Sequence, residues 1–264
     1  MLESLFKLTE NGTEVRTELI AGVTTFLTMA YIIFVNPMIL ADAGLDRNAV
    51  FMATCLAAAI GTAIMGLYAN YPIALAPGMG LNAYFTYGVV KGMGLAWEVA
   101  LGAVFISGVL FLLLSLFRTR EWIINAIPRS LKLATSAGIG MFLAIIGLKN
   151  AGIVVDHPAT LVGVGDLTQP AAYLAVLGFV IMVALDFRRI PGAIIIGIVV
   201  VSAIGIVAGV SPFNGIVSTP PSLAPTLFKF DLAAAFQIGL VSIVFAFLFV
   251  DLFDTAGTLV GIAH

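Results

Sequence analysis

The chain has 264 residues, of which 61% are hydrophobic and only 10% charged, and its mean hydropathy is +1.14. A water-soluble globule of this size lacks the interior to hide that much apolar surface, so lipid must be the solvent for most of it. A cytosolic enzyme, a nucleic-acid binder and a secreted domain are thereby excluded, and the net charge of −2 implies no polyanionic partner.

Met1–Glu18 is polar, with no early apolar core, so it reads as a cytoplasmic tail and not a signal peptide. Apolar runs follow at Leu19–Val35, Ala49–Ala69, Val99–Phe117, Leu131–Leu148, Ala171–Leu185, Ile194–Val210 and Leu232–Val250. Each is near the length of about 20 residues that a spanning helix needs. Between the second and third lies Tyr71–Val90, YPIALAPGMGLNAYFTYGVV, where Pro72 and Pro77 bar a continuous helix. A short extended stretch over Ile73–Ala76 and a half-length helix over Met79–Val90 are expected. Irregular backbone at membrane depth is tolerated only inside protein or beside a cavity, so this broken segment is the first candidate for a binding site. Counting it gives eight segments.

Lysine and arginine placement orients them. With the N-terminus inside, the inner side receives Lys7, Arg16, Arg118, Arg120, Arg129, Lys132, Arg188 and Arg189, and the outer side Arg47, Lys91, Lys149 and Lys229. Two loops are longer, Lys149–Pro170 and Ser211–Asp231; neither reads as a domain. His157, in the first of them, is expected to be solvated. Cys55 stands alone and there are two histidines, so no disulfide, metal cluster or Ser-His relay is expected. Gly78–Ala83 matches the dinucleotide pattern G-x-G-x-x-A, but the parallel sheet that pattern requires is missing.

Of 14 acidic residues, all but Asp251 and Asp254 fall in the tail, loops or segment ends. A carboxylate at the centre of a spanning helix costs roughly 2.5–3.5 kcal/mol. Three residues apart, these two share a helix face, with Thr258 on the same side. Either they form a polar stripe toward a cavity, carrying a proton or accepting ligand N–H bonds, or the helix stops near Val250 and they are interfacial. Asn82, behind the glycines, offers two donors and an acceptor beside the free N–H groups of a helix start; it reads as a ligand contact or as a cap. Tyr84, Phe85 and Tyr87 stack a planar ring or simply pack.

Three blocks, TELIAGVTTFLTMAYIIFVNP (Thr17–Pro37), APGMGLNAYF (Ala76–Phe85) and DLFDTAGTL (Asp251–Leu259), together resemble the AzgA-like purine permeases, the hypoxanthine/guanine/adenine branch of the nucleobase:cation symporters. The resemblance runs the whole chain in order. It implies an all-α polytopic membrane protein of fourteen segments in two inverted repeats of seven, with a short strand plus half-helix in segment three. On that pattern 1–18 is a cytoplasmic tail, 19–117 holds core-domain segments one to four with 71–90 broken, and 118–210 holds gate-domain segments five to seven. Residues 211–231 form an extracytoplasmic loop, and 232–264 is segment eight, where the second repeat begins and the chain stops, as expected for an N-terminal fragment. The resemblance further implies a secondary transporter, not an enzyme, that imports purine nucleobases by proton symport across the inner membrane, with a homodimer possible. It implies no cofactor, metal or nucleic acid. Gly80, Asn82, Ala83, Phe85 and Asp254 would contact substrate, and Asp251 with Asp254 would couple the proton. The alternatives are a sulfate-type anion carrier of the same fold, against which the acid pair argues, and a fragment unable to transport.

Overall fold

The computed structural model describes residues 3, 6–116, 128–213, 215, 219–237 and 241–263. The expected inner-side residues Arg118 and Arg120 lie outside these, and the side chains of 256–264, including Thr258, are likewise not described.

In chain order the helices are α1 (Val15–Met29), α2 (Ile32–Ala41), α3 (Arg47–Leu67), α4 (Met79–Ala83), a π-helical stretch (Tyr84–Gly92), α5 (Trp97–Leu116), α6 (Arg129–Asn150), α7 (Pro170–Phe187), α8 (Ala193–Val207), α9 (Leu232–Gln237) and α10 (Val241–Ala263). Among the helices whose side chains are described throughout, four are long and apolar enough to cross a bilayer: Val15–Ala41 (α1 with α2), Arg47–Leu67, Trp97–Leu116 and Pro170–Phe187. Their large side chains are widely exposed: Leu112 is 70% accessible, Leu116 76% and Phe179 69%. Such faces suit lipid and not water, so this is a multi-pass membrane protein. Of the other expected segments, α8 is apolar over its 15 residues, and α6 carries an apolar stretch over Gly140–Asn150.

Two departures from the expected all-helical plan stand out. First, the Lys149–Pro170 loop carries an exposed antiparallel hairpin, β1 (Val154–His157) and β2 (Leu161–Val164), pairing Val154 with Val164 and His157 with Leu161. Its β-branched residues flank a turn, which suffices for pairing. Asp156 meets Lys149 there at 3.5 Å, and His157 is exposed. Beyond it Asp166 accepts hydrogen bonds from the Thr168 hydroxyl at 2.5 Å and from the Gln169 amide and the Thr168 N–H, both at 2.9 Å, and these hold its carboxyl below the usual range.

Second, the expected strand over Ile73–Ala76 pairs with no other strand among the described residues. Its backbone is met by threonine hydroxyls instead. Thr25 Oγ1 accepts the Ala74 N–H at 3.1 Å, and Thr62 Oγ1 accepts the Leu75 N–H at 2.9 Å. Buried backbone donors demand partners, and two helices supply them where a ladder does not. Thr62→Val keeps the shape and removes the acceptor. It is expected to lower the thermal unfolding midpoint of the detergent-purified protein by about 2–4 °C, with Thr62→Ser near wild type.

The chain divides into two compact units. One comprises residues 1–33, 55–76 and 142–220, and the other 34–54, 77–141 and 221–264. In the first, α7 packs on α8 and α8 on α1. In the second, α10 and α9 pack on α5, and α10 also meets α4. The second unit holds the main core, which includes Val50, Phe85, Val89, Ala100, Ala103 and Phe247. There α9 is locked down by the Asp231 N–H, which donates to the Glu98 carbonyl at 3.0 Å, while Asp231 Oδ1 caps the helix through the Ala234 N–H at 2.9 Å.

Candidate functional site

The site candidates gather in the second unit, where α4 begins. Pro77 and Gly78 end the extended stretch; Gly78 sits at φ −69°, ψ 122°, and the helix starts at Met79 with no side-chain cap. The first N–H groups of a helix have no partner within it, so this end presents donors and a positive dipole. The Gly78 carbonyl accepts the Asn82 N–H at 3.3 Å, which places Asn82 one turn into the helix.

Facing this turn is α10. Its 23 residues extend about 34 Å at 1.5 Å per residue, enough to cross the hydrocarbon layer. The helix runs through Asp251 and Asp254 to Ala263 and does not stop at Val250. Both acids are therefore near its midpoint, and both are half-buried. Asp254 lies directly against Gly78: a Cβ built there would overlap the Asp254 Oδ2 atom. Only glycine lets the carboxylate approach this backbone so closely. Asp251 Oδ1 accepts a hydrogen bond from the Thr255 hydroxyl at 3.4 Å.

The structure thus brings Asp254 and the Gly78–Asn82 turn together. Gly80 and Asn82 are half-buried there, while Ala83 and Phe85 are 1% and 4% accessible, with Phe85 packed in the core. Tyr84 sets its ring edge-to-face with Phe247, centroids 5.1 Å apart, and the Tyr87 hydroxyl donates to Asp42 at 2.6 Å.

Sequence reasoning missed the support beneath Asn82. The Asn82 amide donates from Nδ2 to Asn36 Oδ1 at 2.6 Å, and Asn36 Nδ2 donates to Thr54 Oγ1 at 2.8 Å. The Thr54 hydroxyl in turn donates to the Val50 carbonyl at 2.7 Å. Asn36 and Thr54 are each 3% accessible. An asparagine beside Pro37 in an apolar run was the available signal: a polar amide at that depth needs a partner. No cluster of three or more potential metal ligands occurs among the described residues.

The profile of the Permease family (Xan_ur_permease) matches residues 16–264. The chain is similar to the adenine permease AdeP of Escherichia coli strain K12, 52% identical over 99% of this chain and 59% of that protein. It is similar to the adenine permease AdeQ of the same organism, 48% identical over 99% of this chain and 59% of that protein. It is also similar to the guanine/hypoxanthine permease PbuG of Bacillus subtilis strain 168, 45% identical over 99% of this chain and 62% of that protein. The chain spans about six-tenths of the length of these curated relatives. They are transporters and not enzymes, and they lend no support to a sulfate carrier. The match runs across nearly all of the sequence, including the broken segment and the acid-bearing helix, and the chain belongs to the Permease family.

Proposed function

We propose that this chain is the N-terminal part of a purine nucleobase permease that imports its substrate by proton symport. The observation that carries the reading is the Asp254 carboxylate seated against Gly78, one helical turn from Asn82, on an apolar helix long enough to span the bilayer. The names of the relatives supply the substrate class, adenine or guanine and hypoxanthine.

The chemistry fits. Purines are flat and rich in N–H donors and ring-nitrogen acceptors. Asp254 accepts N–H bonds, while the Asn82 amide and the first amides of α4 meet the polar ring edge. Gly80 lets the ligand approach the backbone, and Ala83 and Phe85 shape the apolar support behind it. A site of this kind rejects a ligand that leaves a buried group unpaired. Asp251 carries the proton, and Asp254 senses it through their shared helix face. If substrate binds tightly in one protonation state alone, proton and purine promote each other's binding, as linkage requires.

In this reading residues 1–18 are cytoplasmic and the protein lies in the inner membrane. The chain supplies the first of two inverted repeats and the opening helix of the second. Segments one to four, 19–117, belong to a core domain and segments five to seven, 118–210, to a gate. Residues 211–231 form an outer loop before 232–264, and two protomers associate as a homodimer.

The test is uptake of labelled adenine, guanine and hypoxanthine by the full-length permease in cells lacking their own purine carriers. Saturable uptake competed by unlabelled purines, and untouched by excess sulfate, is expected. Purine uptake no greater than in empty cells overturns the proposal.

A further inference from the structure

We propose that Thr54 is a positioning residue that sets which atom of the Asn82 amide faces the substrate. The inference rests on the purine reading of the site and adds to it a determinant on α3, two side-chain hydrogen bonds back from the Asn82 amide.

A threonine hydroxyl has a single proton, and Thr54 gives it to the Val50 carbonyl, an acceptor that cannot reverse. Thr54 Oγ1 can then only accept. Asn36 must turn its NH2 to it, at 2.8 Å, and so must turn its Oδ1 the other way. Asn82 therefore meets an acceptor and must answer with its own NH2, at 2.6 Å. Each link is fixed by the one before it, starting from a backbone carbonyl. What remains for a ligand is Asn82 Oδ1, which no protein donor reaches among the described residues, and the second Nδ2 proton. The site thus offers a purine an acceptor held in place, to take a ring or exocyclic N–H. Both intermediate residues are 3% accessible, so water is poorly placed to substitute for a missing link.

Without the Thr54 hydroxyl, the Asn36 amide loses the partner that orients it. It and Asn82 can then rotate together and present NH2 where the substrate needs an acceptor. The experiment is purine uptake by the full-length permease carrying Thr54→Val, Thr54→Ala or Thr54→Ser, normalised to protein in the membrane. Thr54→Val and Thr54→Ala are expected to raise KM about tenfold, the loss of one net hydrogen bond, with the maximal rate within about twofold of wild type. Thr54→Ser, which keeps the hydroxyl, is expected to restore the wild-type KM. Wild-type KM in Thr54→Val or Thr54→Ala overturns the inference. So does failure of both to reach the membrane while Thr54→Ser does, since the hydroxyl would then serve folding alone. Absence of purine uptake by the wild type sinks the purine reading itself, a separate outcome.

Discussion

Replacing Asp254 by asparagine is expected to lower kcat/KM for purine uptake roughly 10- to 100-fold, the loss of a hydrogen bond to a charged group, worth about 1.5–3 kcal/mol. The substitution preserves shape. It leaves the contact with Gly78 intact and converts an acceptor-only carboxylate into an amide that must present NH2 at one position. The protein should still reach the membrane, because removing a half-buried charge from a spanning helix eases insertion. Initial rates normalised to membrane content separate these effects. Asp251→Asn, whose neighbour is the Thr255 hydroxyl, is expected to spare purine binding and to abolish accumulation against a gradient.

The second large effect is steric. A methyl group on Gly78 overlaps Asp254 Oδ2, so Gly78→Ala must push the carboxylate away from the α4 turn. Overpacking of this kind costs about 1–3 kcal/mol. Purine uptake by Gly78→Ala is expected to fall at least about tenfold. Gly108 on α5 provides the control, since a Cβ there meets nothing within 4 Å. Gly108→Ala is expected to transport like wild type and to melt no lower, because alanine is the better helix former. Equal loss in both variants would mean that Gly78 acts through general stability.

Much of this arrangement was legible in the sequence. Pro72 and Pro77 announced the break, because no helix continues through them, and the apolar residues after Asp254 announced that α10 runs on past the acids. The relation of Asp254 to Gly78 was not legible, since the two are joined only in space. The threonines were silent for a different reason. Thr25, Thr54 and Thr62 look like ordinary helix residues, and their roles appear only when the backbone or amide opposite each is known. The extended stretch over Ile73–Ala76 was legible from its flanking prolines, but not that hydroxyls from α1 and α3 would meet its backbone. The hairpin at Val154–Val164 was hidden inside a segment read as loop, its strands being only four residues each. Sequence alone does not separate stacking from packing for the aromatic residues behind Asn82; in the fold Phe85 is in the core and Tyr84 lies against Phe247.

On the proposal made above, acids held in the lipid layer serve a purine and its proton together. The most direct measurement places the purified full-length permease in liposomes with a pH-reporting dye in the lumen. Adding hypoxanthine outside is expected to acidify the lumen with wild-type protein and to leave it unchanged with Asp251→Asn. Purine entry without any lumenal acidification in the wild type, or undiminished acidification with Asp251→Asn, would contradict the account.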